Sequence, residues 1–124
     1  MQKRHTWSDY LLKKIDAIIR AERLPTVKEE LKQLGISGMT VYSVSGWSRG
    51  TDEILQWKGQ TVVHDLIAKS KLEIIVPDEQ VDQVIDTIGK HARTGKQGDG
   101  IIFVLPVEQA VNIKTMDKGE KVVK

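Results

Sequence analysis

Apolar residues recur along this chain with two different periods, and the switches between them predict its elements. "KKIDAIIR" (residues 13–20) is apolar, rich in β-branched side chains and bounded by charge, as a buried strand requires. In "TVKEELKQLG", Val27, Leu31 and Leu34 fall at helical spacing, Thr26 and Glu29 have the spacing of a capping box, and Gly35 marks the stop. "MTVYSVSG" (39–46) and "SKLEIIVP" (70–77) are strand-like again. A second helix is predicted from Asp78, with Val81, Val84, Ile85 and Ile88 on one side. Its last turn carries Lys90, His91 and Arg93, cations that complement the helix dipole. A strand "IIFVLPVE" and a short strand "AVNIKT" close the series. The order β-α-β-β-α-β is the split pattern of a ferredoxin-like α+β sandwich, in which two helices cover one face of an antiparallel sheet.

Two segments exceed what a minimal sandwich needs. More than twenty residues, "WSRGTDEILQWKGQTVVHDLIAK", separate the second and third strands, where a hairpin needs about two to five. The segment is polar and has glycines at 50 and 59. Unable to bury a core of its own, it is expected to be poorly ordered without a ligand. Trp47 and Trp57 stand in it; they either tuck beneath the loop base or anchor a partner. The second segment, "TGKQGDG" (94–100), puts three glycines into seven residues directly before a core strand. Each glycine has an entropic cost, so a plain reversal would use fewer. The composition suits a backbone that something must approach closely, such as an anion held by converging N–H groups beside a basic helix end. A glycine-rich turn without a ligand is the alternative.

Composition narrows the function. A chain of 124 residues, 40% hydrophobic and 29% charged, makes one ordinary globular domain. A net charge of +2 without a concentrated basic run argues against nucleic acid as partner. The absence of cysteine excludes disulfides and thiolate metal sites and suits a reducing cytoplasm. "MQKRHTWSDY" has no apolar stretch behind its basic residues, so neither a signal peptide nor direct membrane insertion is indicated, and a cytoplasmic location is expected. His5, His64 and His91 are scattered, and no nucleophile–base pair or paired-histidine spacing is present. Neither an enzyme nor a metal site is expected.

In order and spacing, "KKIDAIIR", "GISGMTVYSVSGWSRG", "KLEIIVPD", "ARTGKQGDGIIFVLPVE" and "TMDKGE" resemble the PII family of trimeric nitrogen and carbon regulators, over about residues 12–122. The resemblance implies an N-terminal extension (1–11) before a ferredoxin-like domain (12–124) that forms a homotrimer. Within the domain it implies a T-loop at about 47–68, a B-loop at about 94–100 and a C-loop at about 112–124. It further implies an adenine nucleotide bound between protomers as allosteric ligand, with no other cofactor, and a target transporter or enzyme engaged through the T-loop, where Trp47 and Trp57 would make contact. Carried over by position, Ile18, Thr40, Glu73 and Ile75 line the base and ribose pocket, while Gly46, Arg49 and Lys69 stand at the ends of the long loop near the phosphates. Thr94, Gly98, Asp99 and Gly100 form the B-loop cradle, and Ile101, Asn112 and Lys114 occupy the remaining phosphate positions.

The sequence departs from the family pattern at informative places. Gly50 stands where a glutamine usually helps hold the Mg²⁺ that carries 2-oxoglutarate, and Thr51 where a lysine is common. Ile101 replaces the B-loop lysine, and Asn112 and Lys114 replace two C-loop arginines, so at least two positive charges are missing from the triphosphate end. Each added phosphate needs compensating charge, so ADP or AMP is expected to bind in preference to ATP. Val62 and Gln60 stand where other members carry a uridylylated tyrosine and a phosphorylated serine. The resulting expectation is an atypical PII-like regulator in nitrogen or inorganic-carbon metabolism, with bicarbonate a candidate second ligand. The competing expectations are a ferredoxin-like small-molecule or metal-binding module, and a structural trimer without nucleotide sensing.

Overall fold

In a computed structural model of the protein, the backbone is described for residues 11–49, 53–57 and 60–124, and side chains for 11–49 and 65–124. The elements are β1 (Leu12–Arg20), α1 (Leu24–Gln33), β2 (Thr40–Gly46), β3 (Glu53–Trp57), β4 (Gln60–His64), β5 (Ile67–Pro77), α2 (Val81–Ala92) and β6 (Gly100–Val107). Four strands form an antiparallel sheet in the order β2-β5-β1-β6, the ferredoxin-like arrangement expected. β1 is central, and Ile15 lies opposite both Ile74 of β5 and Val104 of β6.

The two periods read from the sequence converge on one core. Ile15, Ala17 and Ile19 of β1 and Leu72, Ile74 and Val76 of β5 point alternately toward the helices. They meet Val27 and Leu31 of α1 and Val84 and Ile88 of α2, spaced four apart on each helix, and all ten are buried. Burial of each larger aliphatic side chain contributes roughly 1.5–3 kcal/mol relative to exposure. Lys13 lies at the end of this row on the same strand face; its Nζ is 2.9 Å from Asp78 Oδ1, which neutralises a buried ammonium at the foot of α2.

Local details differ from the sequence expectations. Helix α1 begins at Leu24 with Arg23 as its cap and no side-chain capping bond, so the Thr26/Glu29 capping box does not form. Pro25 occupies the first turn, where its fixed φ and missing N–H suit a helix start, and the preceding 3-10 turn (Ala21–Arg23) leads straight into it. Asp78–Gln80 is likewise a 3-10 turn, and α2 starts at Val81. Strand β5 starts at Ile67 rather than 70, because pairing with β2 continues to Ser45↔Ala68 and Gly46↔Ile67. "AVNIKT" is not a strand: only the single bridge Val111↔Lys118 forms, around a tight turn.

The long connection also differs from an unstructured loop. Its β3 and β4 form a separate two-stranded antiparallel sheet, with Ile54↔Val63 and Leu55↔Val62 in register. Pairing satisfies the backbone groups that β3 and β4 turn toward each other. Residues 1–10, Gly50 and Thr51, and the side chains of Trp57, Gln60 and Val62 lie outside the described residues. No helix among the described residues is long and apolar enough to cross a membrane.

Candidate functional site

With both helices on one face, the other sheet face carries most of the strand residues singled out from the sequence. Antiparallel register places them in rows: Thr40, Glu73, Asp16 and Phe103; then Tyr42, Lys71, Ile18 and Ile101; then Val44, Lys69 and Arg20. The middle of this face is an ion-pair cluster. Glu73 accepts from Lys14 Nζ at 3.2 Å and from the Tyr42 hydroxyl at 3.2 Å, while Lys71 Nζ lies 3.4 Å from Glu73 and 3.5 Å from Asp16. Partial desolvation pulls the Glu73 carboxyl upward, but the hydrogen bonds from Lys14, Tyr42 and Lys71 outweigh it and leave its pKa lowered. Desolvation likewise acts to lower the Lys71 pKa, and the neighbouring Asp16 and Glu73 carboxylates reverse the balance and raise it.

The last row creates an electrostatic problem that the glycine loop solves. Arg20 and Lys69 are direct cross-strand partners, a like-charge juxtaposition that is unfavourable unless something negative covers it. The segment between α2 and β6 supplies that cover. Arg20 Nε donates to Asp99 Oδ1 at 2.9 Å, and Arg20 Nη2 donates to the Gln97 carbonyl at 2.7 Å. Lys69 Nζ donates to the Gly98 carbonyl. Asp99 in turn accepts from the backbone N–H groups of Thr94 and Gly95, both at 2.8 Å, and from the Thr94 hydroxyl. The Thr94 hydroxyl and then Arg20 hold the Asp99 carboxyl far below the usual carboxylate range, with the two N–H groups adding to the effect. Asp99 thus acts as the loop's internal anion.

Glycine is required at the end of this loop for steric reasons. Gly100 has φ +120°, and a Cβ there would lie 1.9 Å from the Ile18 carbonyl oxygen. Gly98, at φ 95°, also lies in the left-handed region. The close approach that the glycine cluster suggested is therefore made, in the single chain, by strand β1.

Two hollows flank Gly100. One, of about 500 Å³, is lined by Ile18, Gly46, Trp47, Ser48, Lys69, Lys96, Gly98, Asp99, Gly100 and Ile101. It combines ammonium groups, turned backbone and an aliphatic wall, as a site for an anion attached to a flat apolar group needs. The other, of about 400 Å³, runs along Ile88, Ala92 and Ile102 on the helix side and is mostly apolar, with Arg93 and Asp99 its charged members. The first cleft is therefore the better candidate.

Of the residues singled out from the sequence, Ile18, Gly46, Trp47, Lys69, Gly98, Asp99, Gly100 and Ile101 come together at this cleft. Thr94 supports it through Asp99, and Arg49 adjoins it through its carbonyl, which accepts from Gln97 Nε2 at 2.8 Å. Thr40, Glu73 and Ile75 lie farther along the open sheet face. Asn112 and Lys114 are in the C-terminal turn, where Asn112 Oδ1 accepts from the backbone N–H groups of Lys114 and Thr115. Trp47 is 61% exposed, so it does not tuck beneath the loop base. Sequence reasoning missed Arg20 and Gln97. The one available signal for Arg20 was its place as the charge that ends an apolar strand. Among the described residues no group of three or more His, Asp or Glu could hold a metal ion.

The split sandwich, the long connection after β2 and the glycine loop before β6 are those of a PII protein, and the chain belongs to that family. The pattern of the nitrogen regulatory protein P-II family matches residues 12–117. Among relatives, the nitrogen regulatory protein P-II of Haemophilus influenzae is 45% identical over 109 residues, covering 88% of this chain and 97% of that protein. The nitrogen regulatory protein P-II 1 of Escherichia coli is 43% identical over the same length and coverage. The crystal structure of Arabidopsis thaliana PII bound to citrate superposes with a TM-score of 0.73 at 39% identity, covering 92% of this chain and 94% of that one. The family is one of regulatory proteins.

Proposed function

We propose that this chain is a PII-like signalling regulator that binds an adenine nucleotide, ADP or AMP ahead of ATP, between the protomers of a homotrimer. It reports the bound ligand to a transporter or metabolic enzyme through the segment 47–68, in nitrogen or inorganic-carbon metabolism. The observation that carries this reading is the cleft where Lys69 and Lys96 face turned glycine backbone while position 101 offers an isoleucine instead of a cation. A diphosphate needs fewer compensating charges than a triphosphate, so the missing cation penalises ATP most. Ile18 and Ile101 supply the apolar side, and Thr40, Glu73 and Ile75, on the same sheet face, suit a base and ribose held against a neighbouring copy.

Trimer formation has its own physical support. Ile101, Phe103 and Leu105 are 52%, 49% and 40% exposed on the sheet face that no helix covers. A sheet face with that much apolar surface is stable when neighbours close over it. Bicarbonate is the candidate second ligand of this reading: Gly50 has no side-chain oxygen with which to hold a cation for 2-oxoglutarate, and bicarbonate is a small anion that needs none. The citrate in the Arabidopsis relative's structure supports a small carboxylate as a ligand class for this fold. The test is isothermal titration of AMP, ADP and Mg-ATP, each with and without bicarbonate, alongside light scattering at micromolar concentration. A trimer that binds ADP at least as tightly as Mg-ATP is the expected result. A tenfold preference for Mg-ATP, about 1.4 kcal/mol, or a monomer would overturn it.

A further inference from the structure

The residue of the glycine loop that the function above does not use is Gln97, and its two ends are both engaged. Its backbone carbonyl accepts from Arg20 Nη2 at 2.7 Å, and its side-chain Nε2 donates to the backbone carbonyl of Arg49 at 2.8 Å. A carbonyl can only accept, so the side-chain amide orientation is unambiguous. Arg49 is the third residue beyond the end of β2, where the chain leaves the sheet toward β3. The next loop residue, Gly98, is bonded through its carbonyl to Lys69 of β5, on the returning side of the same connection. Two consecutive loop residues therefore hold the outgoing and the returning base of the 47–66 connection.

We propose that Gln97 is a positioning residue that ties the base of this connection to the glycine loop, so that a shift of the loop relocates the peptide plane at Arg49. The chain of contacts is short and directional. Arg20, fixed on central strand β1 and neutralised by Asp99, holds the Gln97 backbone, and the Gln97 side chain then holds Arg49. Anything that draws Lys69 or Arg20 off the loop carbonyls frees Gln97 to move and releases Arg49. The tie is a property of the ligand-free chain; only its response to a ligand rests on the nucleotide reading.

Trypsin reads this contact directly, because cleavage after Arg49 requires that carbonyl to leave Gln97 and enter the protease's oxyanion hole. Cleavage rates after Arg49 and after Lys121 would be followed by mass spectrometry in the full-length protein, for native chain, Gln97→Glu and Gln97→Met, with thermal unfolding as the check on folding. Both variants keep the side-chain length but cannot donate to a carbonyl. Loss of one net hydrogen bond predicts about fivefold faster cleavage after Arg49 in both, with cleavage after Lys121 unchanged and the melting temperature lowered by no more than about 4 °C. Equal rates after Arg49 in native and variant chains would overturn the proposal. A second arm adds saturating ADP: the native rate after Arg49 is expected to change and the variant rates to stay put. An equal ADP response in native and variant chains would also overturn it. If titration shows no ADP binding, the nucleotide reading fails while the ligand-free arm still decides the role of Gln97.

Discussion

Gly100→Ala and Gly89→Ala make the same chemical change and should have opposite effects, which isolates the requirement for a bare backbone at the head of β6. At Gly100 the added Cβ would lie 1.9 Å from the Ile18 oxygen, 2.9 Å from the Ile18 carbonyl carbon and 3.2 Å from Ile19 Cα, at φ +120°. Normal carbon–oxygen contact begins at about 3.3 Å, so β6 would have to back away from β1 by more than 1 Å. The strained dihedral costs roughly 1–3 kcal/mol, and loosening the Ile19↔Gly100 pairing costs about 1 kcal/mol more. The total, about 3 kcal/mol, corresponds to a melting temperature lower by about 10 °C for a domain of this size. Gly89 lies inside α2 with nothing within 4 Å of its virtual Cβ. Alanine there removes a helix-interior glycine and should stabilise by about 0.5–1 kcal/mol. Urea unfolding followed by far-UV circular dichroism, without nucleotide, measures both. A Gly100→Ala midpoint equal to that of the native chain, or shifts of the same sign in the two variants, would refute the reasoning.

Three further outcomes follow from the same geometry. Asp78→Ala removes the Lys13–Asp78 ion pair at the foot of α2 and should cost about 1 kcal/mol by the same denaturation assay, a modest value because Asp78 is 56% exposed and solvent screens the pair; an unchanged midpoint would contradict this. The Asp99 carboxyl has a folded pKa below its unfolded value of about 4, so the stability it contributes is complete above about pH 5 and is lost as pH falls toward the folded value. The urea midpoints of native chain and Asp99→Asn should accordingly converge between pH 5 and about pH 2.5, and a constant gap would contradict this. Ile101→Lys places an ammonium at the cleft and should shift the ATP-to-ADP affinity ratio toward ATP by about tenfold in isothermal titration; an unchanged ratio would show that position 101 does not face the phosphates.

Much of the fold was legible in the sequence because its signals are local. The apolar, β-branched run in "KKIDAIIR" and the helical spacing of Val27, Leu31, Val84 and Ile88 each depend on a few neighbouring residues, and Ile15, Ala17 and Ile19 of the run join those four in the core. Local signals misled where a competing local rule won. The Thr26/Glu29 spacing suggested a cap, but Pro25 had already started the helix. "EILQW" and "QTVVH" have the β-branched and aromatic character of strands, yet read as loop because the segment had no core to bury.

The candidate site was only half legible. The sequence alone shows a glycine-dense loop directly before a core strand, and only its resemblance to the PII family marks 101 and 112 as positions where a cation is expected and absent. Which groups fill the loop was decided by tertiary structure alone. Arg20 reaches Asp99 across 79 residues and Gln97 reaches Arg49 across 48. Those meetings depend on β1 lying between β5 and β6 in one particular register, which sets Arg20 beside Lys69 and Ile19 beside Gly100. A shift of one residue in β1 would turn Arg20 to the helix face and away from Asp99. Periodicity specifies which face a residue occupies; the partner it finds there depends on strand order and register, which arise only when the whole sheet assembles.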